Sequence, residues 1–207
     1  MNIPPSGRSK EEILATLQAF KARDMDWKSG KVWAYVYNPG DENAQVIRDA
    51  FMLYLTENGL DPTVFPSLLK LETEVVRMVA TLLRGDERVV GNVTSGGTES
   101  IMLAVKTARD KARAEHPEIT QPEMVLPRTA HAAFHKAAHY LNVKPVLVEI
   151  DPTTFQVSVD DMRAAITPNA ILLVASAPNY SQGVIDPIEE IGKLAQEKNL
   201  LFHVDAC

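Results

Sequence analysis

Short apolar runs alternate with stretches of helical spacing from residue 86 to residue 207. The helical stretches lie near residues 98–115, 131–141, 158–166 and 187–198. The apolar runs between them are ERVVGNV, EMVLP, VKPVLVEI, AILLVASA and LLFHVDA. Strands that alternate with helices form parallel βαβ units, so an α/β domain with at least five strands and helices on both faces of the sheet is predicted. In such sheets ligands bind at the carboxyl ends of the strands.

Residues 1–85 have a different pattern. Ser9 is a candidate N-cap for a helix in RSKEEILATLQAFKARD. Apolar positions recur at helical spacing in residues 43–57 and 68–83. We therefore predict an N-terminal helical arm over residues 1–85, followed by the first part of a large domain over residues 86–207.

Composition excludes several classes of protein. Apolar residues make up 45% of the chain and the formal net charge is -6, with no basic run, which argues against nucleic acid or an acidic membrane as partner. No stretch of about 20 apolar residues is present, so no transmembrane segment is expected. The N-terminus lacks the apolar centre of a signal peptide, and Cys207 is the only cysteine. These features favour a cytoplasmic protein.

The stretch GNVTSGGTES, residues 91–100, reads as a strand, a glycine turn and the start of a helix. A helix N-terminus offers free N–H groups and the positive end of its dipole, which suits phosphate. Gly96 and Gly97 let a ligand approach the backbone, and Ser95 and Thr98 are expected to add hydroxyl donors. Neither the P-loop nor the dinucleotide-binding motif fits these residues, and a plain tight turn is the alternative reading.

Two further features lie near predicted strand ends. Asp205 ends an apolar strand, where a buried carboxylate needs a partner such as a cationic ring nitrogen, an Arg or Lys, or a helix N-terminus. His131, His135 and His139 follow one another at i+4 spacing on one helix face. This spacing could bind a metal, but HExxH and a cysteine cluster are both lacking, so no metal site is predicted. An imidazole packed on a flat aromatic cofactor is the preferred role for His131.

One acidic candidate is set aside. Asp161 belongs to the capping-box pattern SVDD that precedes a helical stretch, so it is interpreted as a structural residue rather than a catalytic acid.

A phosphate cradle, a ring-stacking histidine and a carboxylate for a pyridine nitrogen together describe a pyridoxal phosphate site. The segments TSGGTESIMLAVKTARDKA, PEMVLPRTAHAAFHKAAHYL, SAPNYSQGVIDPIEEIGKLA and LFHVDAC carry the resemblance, as do SGKVWAYVYNPGDE and NGLDPTVFPSLLKLETEVVRM. In collinear order, they resemble the sphingosine-1-phosphate lyase branch of the group II decarboxylase-like enzymes. The resemblance implies the type I pyridoxal-phosphate-dependent transferase fold, similar to aspartate aminotransferase. The large-domain sheet would be mostly parallel, with the C-terminal part of the fold missing from this chain.

The resemblance also implies roles for individual residues. Asp205 pairs with the pyridine nitrogen of pyridoxal 5′-phosphate and His131 stacks on its ring, which makes these two the catalytic candidates. Ser176 lies near the ring face. The remaining assignments are the phosphate-binding residues Gly96, Gly97 and Thr98 and the substrate-side residues Tyr37 and Asn58.

The implied reaction is carbon–carbon cleavage of a phosphorylated sphingoid base to a fatty aldehyde and phosphoethanolamine, as in sphingolipid metabolism. The expected substrate is thus a phosphorylated amino alcohol or amino acid, and the expected assembly is a homodimer. No lysine in these residues stands in the sequence context of the cofactor-linking lysine of the family, and Lys136 lies on the stacking-histidine helix. The cofactor-linking lysine is expected beyond Cys207, in a missing C-terminal segment. An amino-acid decarboxylase and an inactive fragment stay open as alternatives.

Three residues depart from the pattern of the family. Asp61 stands where a histidine serving the substrate phosphate is expected, and a carboxylate there would repel that phosphate. His135 replaces an aspartate, and Gln182 lies in YSQG, which replaces a proline–histidine pair. These departures concern the substrate more than the cofactor.

Overall fold

The computed structural model describes residues 3–32 and 34–207, with helices and strands in both parts of the chain. The chain divides into two compact units, residues 1–71 and 72–207. The domain boundary placed after residue 85 stays a prediction. Within the described residues, no helix combines the length and the apolar character that a membrane crossing requires.

The N-terminal residues are helical, as predicted. Helix α1 (Lys10–Lys21) begins after Ser9, whose hydroxyl accepts from the amide of Glu12 while the Glu12 carboxylate accepts from the amide of Ser9. This reciprocal capping box confirms Ser9 as the N-cap. Helix α2 (Asp41–Leu53) ends before the predicted limit at residue 57, and α3 spans Pro66–Leu82.

Residues 72–207 contain the α/β domain. Helix α4 (Gly97–Glu115) is followed by β1 (Glu123–Pro127), α5 (Ala132–Leu141) and β2 (Lys144–Val148). The chain continues with α6 (Val159–Ala165), β3 (Ala170–Ser176), α7 (Ile188–Lys198) and β4 (Leu201–Asp205). The four strands pair in parallel in the order β2-β1-β3-β4.

Helices cover both faces of this sheet. Helices α4 and α5 pack on one face and α6 and α7 on the other. Successive strand residues alternate between the two cores: Leu172 and Val174 face α4 and α5, whereas Leu173 and Ala175 face α6 and α7. The apolar stripe predicted for α4 is buried as Ile101, Val105, Ala108 and Ala112. The predicted parallel sheet with helices on both faces is thus confirmed.

The prediction of a strand in ERVVGNV is wrong. Residues 87–93 form no strand in the described chain, and the sheet has four strands rather than five. The guanidinium of Arg77, on α3, donates to the carbonyl oxygens of Glu87 and Val89. A side chain thus satisfies carbonyls that a neighbouring strand would otherwise bind.

Candidate functional site

The carboxyl ends of β3 and β4 lie side by side and bring two predicted site residues together. Ser176 is the strand partner of Asp205 in the parallel register. The amide of Ala177 donates to the carbonyl oxygen of Asp205 at 2.8 Å. Residues far apart in the sequence therefore share one edge of the sheet, where ligands bind in α/β domains.

The side chains of Ser176 and Asp205 lie on the same face of the sheet. Alternation places Ser176 on the side of Val174, which packs in the core under α4 and α5. On β4, the ring of His203 meets Phe134 of α5 edge-on at 5.7 Å, so Asp205, on the same face as His203, also faces α4 and α5. The predicted pair is assembled on one face.

The start of α4 lies beside the end of β4. A Cβ added at Gly97 would come 3.8 Å from the sulfur of Cys207, close in sequence to Asp205. The N-cap residue Gly96 provides no side-chain hydrogen bond, and the first helical bond runs from the amide of Ser100 to its carbonyl oxygen. The amides of Gly97, Thr98 and Glu99 precede that bond, in the first turn where helix N–H groups lack intrahelical partners. This turn can therefore donate to an anion.

The space beside the glycine turn is open. A Cβ added at Gly96 would meet no heavy atom of the described residues within 4 Å. Gly96 has a φ of 162°, which is extended backbone open to any residue. Its use is therefore the close approach that it allows, rather than an unusual backbone conformation.

Ser95 does not offer its hydroxyl to a ligand, which corrects the expectation for this residue. Its amide and hydroxyl both donate to Oε2 of Glu99, at 2.7 and 2.6 Å. These hydrogen bonds, with the hydroxyl first, hold the pKa of Glu99 below its ordinary value. The sequence did not single out Glu99, although a carboxylate in the first turn of a helix is a common stabilising feature.

His131 is the N-cap of α5. Its Nδ1 accepts from the amide of Ala133 at 3.1 Å, so a neutral ring carries its proton on Nε2. The half-buried ring meets Tyr180 edge-on, with 5.5 Å between centroids and 87° between planes. Phe134 is completely buried and anchors the first turn of α5, which stabilises the fold by about 1.5–3 kcal/mol. His131 is thus oriented by backbone capping and by one ring contact.

Two titratable groups near this edge were not predicted as site residues. Burial lowers the pKa of His203 while the charge of Asp205 raises it in part, so the net shift favours the neutral imidazole. Asp186 is 2% exposed, and burial raises the pKa of its carboxyl. The sequence signal for Asp186 is weak, because an aspartate before a helix is usually an exposed cap.

Tyr37 and Asn58 belong to the unit of residues 1–71, whereas the residues described above belong to the unit of residues 72–207. Tyr37 is 91% exposed, and the side chain of Asn58 accepts from the amide of Leu60. Asp61 accepts from the hydroxyl and amide of Thr63, and the hydroxyl bond is the larger cause of its lowered pKa. The substrate-side roles of Tyr37 and Asn58 stay predictions.

The His, Cys, Asp and Glu side chains of the described residues do not have the arrangement that a metal site requires. No group of three or more His, Cys, Asp or Glu side chains in residues 3–32 and 34–207 is arranged to hold a metal ion. His135 and His139 are exposed on α5.

Cavities of about 340 and 410 Å³ open at the opposite, amino-terminal edge of the sheet, beside Leu201 and Lys144 respectively. Neither cavity touches the residues of the candidate site.

Comparison with known families identifies the chemistry of this edge. The model of the pyridoxal-dependent decarboxylase conserved domain matches residues 11–207. The chain belongs to the pyridoxal-dependent decarboxylase family. Pyridoxal phosphate, the predicted cofactor, is confirmed by this membership, and the open first turn of α4 with Ser176 and Asp205 on one face fits it.

Individual known proteins are similar to this chain over nearly its whole length. The sphingosine-1-phosphate lyase of Dictyostelium discoideum is 42% identical over 99% of this chain, which covers 38% of that relative. A probable L-aspartate decarboxylase of Pyrococcus furiosus is 34% identical over 100% of the chain, and 53% of that protein is covered. The solved structure of a sphingosine-1-phosphate lyase from Burkholderia pseudomallei superposes with a TM-score of 0.92 at 37% identity, over 100% of this chain and 49% of that one.

These likenesses confirm the predicted resemblance and the predicted type I fold. The chain spans about a third to a half of the length of the relatives that it matches.

Proposed function

We propose that the complete protein is a pyridoxal-phosphate-dependent lyase that cleaves a phosphorylated sphingoid base to a fatty aldehyde and phosphoethanolamine. The observation that carries the proposal is the meeting of three elements at one sheet edge: the open first turn of α4, Ser176 and Asp205. The likeness to proteins named sphingosine-1-phosphate lyases supports this choice of substrate.

The first turn of α4 would hold the phosphate of the cofactor. The amides of Gly97 and Thr98 would donate to it, the helix dipole would favour its negative charge, and Gly96 would leave room for its approach. The hydroxyl of Ser95 takes no part, because it is committed to Glu99. Binding therefore depends on backbone groups more than on side chains.

Asp205 holds a proton on the pyridine nitrogen. When bound, the cofactor supplies an electron sink that stabilises a carbanion on the substrate. Asp205 maintains that sink because its negative charge raises the pKa of the ring nitrogen. The neutral form of His203, on the same face of β4, avoids a competing positive charge beside Asp205. His131 would pack on the ring, and buried Ser176 would lie near the ring face.

The experiment uses the protein made from its complete gene. Purified protein with pyridoxal phosphate should show a visible cofactor absorption band that borohydride removes, and it should release fatty aldehyde from a phosphorylated sphingoid base. A matched long-chain base without phosphate is the substrate control. A protein that takes up no cofactor, or one that releases aldehyde from neither base, would refute the proposal.

Amino-acid decarboxylation is the second candidate, and Asp61 favours it. Hydrogen bonds from Thr63 lower the pKa of Asp61, which keeps it ionised at neutral pH, and an anion near a substrate phosphate would repel it. The likeness to a probable L-aspartate decarboxylase points the same way. Release of carbon dioxide from acidic amino acids, without aldehyde release from sphingoid phosphates, would select this function.

We also propose that the protein is a cytoplasmic homodimer. Support for a dimer comes from the apolar side chains that α1 and α2 leave exposed, such as Phe20, Phe51 and Leu53. Unpartnered apolar faces of this kind commonly pack against another chain. Light scattering of the purified protein and fractionation of the cells that produce it test the two parts separately.

A further inference from the structure

The buried carboxylate of Asp186 is hydrogen-bonded to Ser176, the last residue of β3. Asp186 is the last residue but one of the β3–α7 loop, defined as residues 177–187, and is 2% exposed. Its Oδ2 accepts from the amide of Ser176 at 2.9 Å, and its own amide donates to the carbonyl oxygen of Ser176 at 3.0 Å. Both backbone groups of Ser176 are therefore fixed by one residue.

The same strand end is tied to Asp205 on its other side. Ser176 is the register partner of Asp205, and the amide of Ala177 donates to the carbonyl oxygen of Asp205. Ser176 itself is 1% exposed, so water cannot replace these bonds at little cost. Two adjacent residues, Ser176 and Ala177, therefore connect the carboxylate of Asp186 to the backbone of Asp205.

A carboxylate that is buried in a loop destabilises the fold unless hydrogen bonds satisfy both of its oxygen atoms. Burial raises the pKa of Asp186, and the hydrogen bond from the amide of Ser176 opposes that rise only in part. Its Oδ1 has no hydrogen-bond partner among the described residues. A buried polar group that is only partly satisfied destabilises the fold, so its benefit must lie in the geometry that it imposes.

The β3–α7 loop is fixed internally as well. Asn179 donates its amide to the carbonyl oxygen of Val184 and accepts from the amides of Gly183 and Gln182. The loop carries Tyr180 against the ring of His131. A displacement at Asp186 would therefore reach both Asp205 and His131.

We propose that Asp186 is a positioning residue of the cofactor site, whose carboxylate fixes the Ser176 peptide and thereby sets the placement of Asp205. This inference rests on the proposed function, because it assigns Asp186 a role toward the bound cofactor. Asp186 acts through Ser176 and does not itself touch the cofactor.

The test compares D186A and D186N with wild type and with the control variant D151A. Asp151 follows β2 and accepts from the amides of Thr153 and Thr154, so its loss also frees backbone amides, but not those of Ser176 and Ala177. Each protein is made from the complete gene. Amide hydrogen exchange without cofactor, the dissociation constant for pyridoxal phosphate and the circular dichroism of its visible band are measured for each.

D186A should speed exchange at residues 176–177 and 203–206, because a lost hydrogen bond to a charged group lowers local stability by the equivalent of about tenfold or more. Part of that loss should reach the cofactor, which should bind more weakly by more than about threefold. The visible dichroism of the cofactor that remains bound should also change. D186N keeps an oxygen acceptor for Ser176 and should stay within about threefold of wild type in the cofactor dissociation constant. D151A should change exchange only at residues 152–155.

Unchanged binding and dichroism in folded D186A would overturn the proposal, and so would an equal effect of D151A. If D186A does not fold, D186N decides: tenfold weaker binding with unchanged exchange at residue 176 would show that Asp186 does not act through that peptide. A wild-type protein that binds no pyridoxal phosphate refutes the proposed function and the cofactor role of Asp186 together. Amide hydrogen exchange of D186A and wild type without cofactor still tests whether the carboxylate of Asp186 fixes the Ser176 peptide.

Discussion

Removal of Glu123 should destabilise the sheet substantially. Glu123 begins β1 and is 4% exposed, with its carboxylate between Lys144 at 2.8 Å and the hydroxyl of Thr167. Hydrogen bonds to a charged group contribute about 1.5–3 kcal/mol each. The Lys144 side chain is 66% exposed, so its share is reduced to about 0.5 kcal/mol by solvent screening. E123A should therefore lower the free energy of unfolding by about 2–3.5 kcal/mol.

The pH dependence of this contribution has a definite sign. The bond to Lys144, followed by the bond to Thr167, holds the pKa of Glu123 below its ordinary value of 4.5. A lowered pKa in the folded state stabilises the protein fully above the unfolded pKa, and this stabilisation is lost as the pH falls through the folded pKa. The difference between wild type and E123A should thus be constant near neutrality and shrink below about pH 4.5.

Thermal and urea unfolding at pH 7 and pH 4 measure these effects. A loss of about 2–3.5 kcal/mol corresponds to a fall in Tm of about 4–14 °C for a cooperative unit of about 150–250 residues. The matched control is E149A, because Glu149 forms an exposed pair with Arg128, and solvent screening leaves such pairs a small contribution to stability. E123Q keeps an acceptor for Thr167 and should fall between E123A and wild type. Equal losses in E123A and E149A, or a gap that widens at pH 4, would refute the reasoning.

Three other changes should have distinct results. D205N keeps the size of the side chain but removes its charge, so kcat should fall far more than cofactor content, and undiminished turnover would mean that Asp205 is structural. Arg77→Met should speed hydrogen exchange in residues 87–93 because the carbonyls of Glu87 and Val89 lose their donor, and unchanged exchange there would contradict this. Deletion of residues 1–60 should yield aggregated or monomeric, inactive protein by gel filtration and aldehyde assay, since the arm carries large exposed apolar side chains; a well-behaved active deletion would remove the dimer proposal.

Local patterns predicted the helices and four of the strands well. The stripe of Ile101, Val105, Ala108 and Ala112 identifies the buried face of α4 because a 3.6-residue period is a property of the chain itself. The apolar run AILLVAS became β3, buried at every position. The run ERVVGNV has a similar local signal yet forms no strand in the described chain, because a strand also requires a neighbour to receive its hydrogen bonds.

Some features of the candidate site were likewise predicted from the sequence, whereas others were not. Motif and order alone singled out the glycine turn, His131 and Asp205, since their residue types match the chemistry of one cofactor. The role of Ser95 was predicted wrongly, because its hydroxyl is bound by Glu99 in a turn whose geometry the sequence does not display. Nothing in the sequence indicated that His131 would cap its own helix.

Sequence by itself determined the α/β class, the helix faces and the cofactor chemistry, because periodicity and residue type are local properties. Only the tertiary structure decided that Ser176 would lie beside Asp205 on one face and that Asp186 would be buried beneath them. Those relations depend on which strands become neighbours. That choice is made by the packing of residues distant in sequence, which removes Asp186 from water and gives its carboxylate the Ser176 amide as a hydrogen-bond donor.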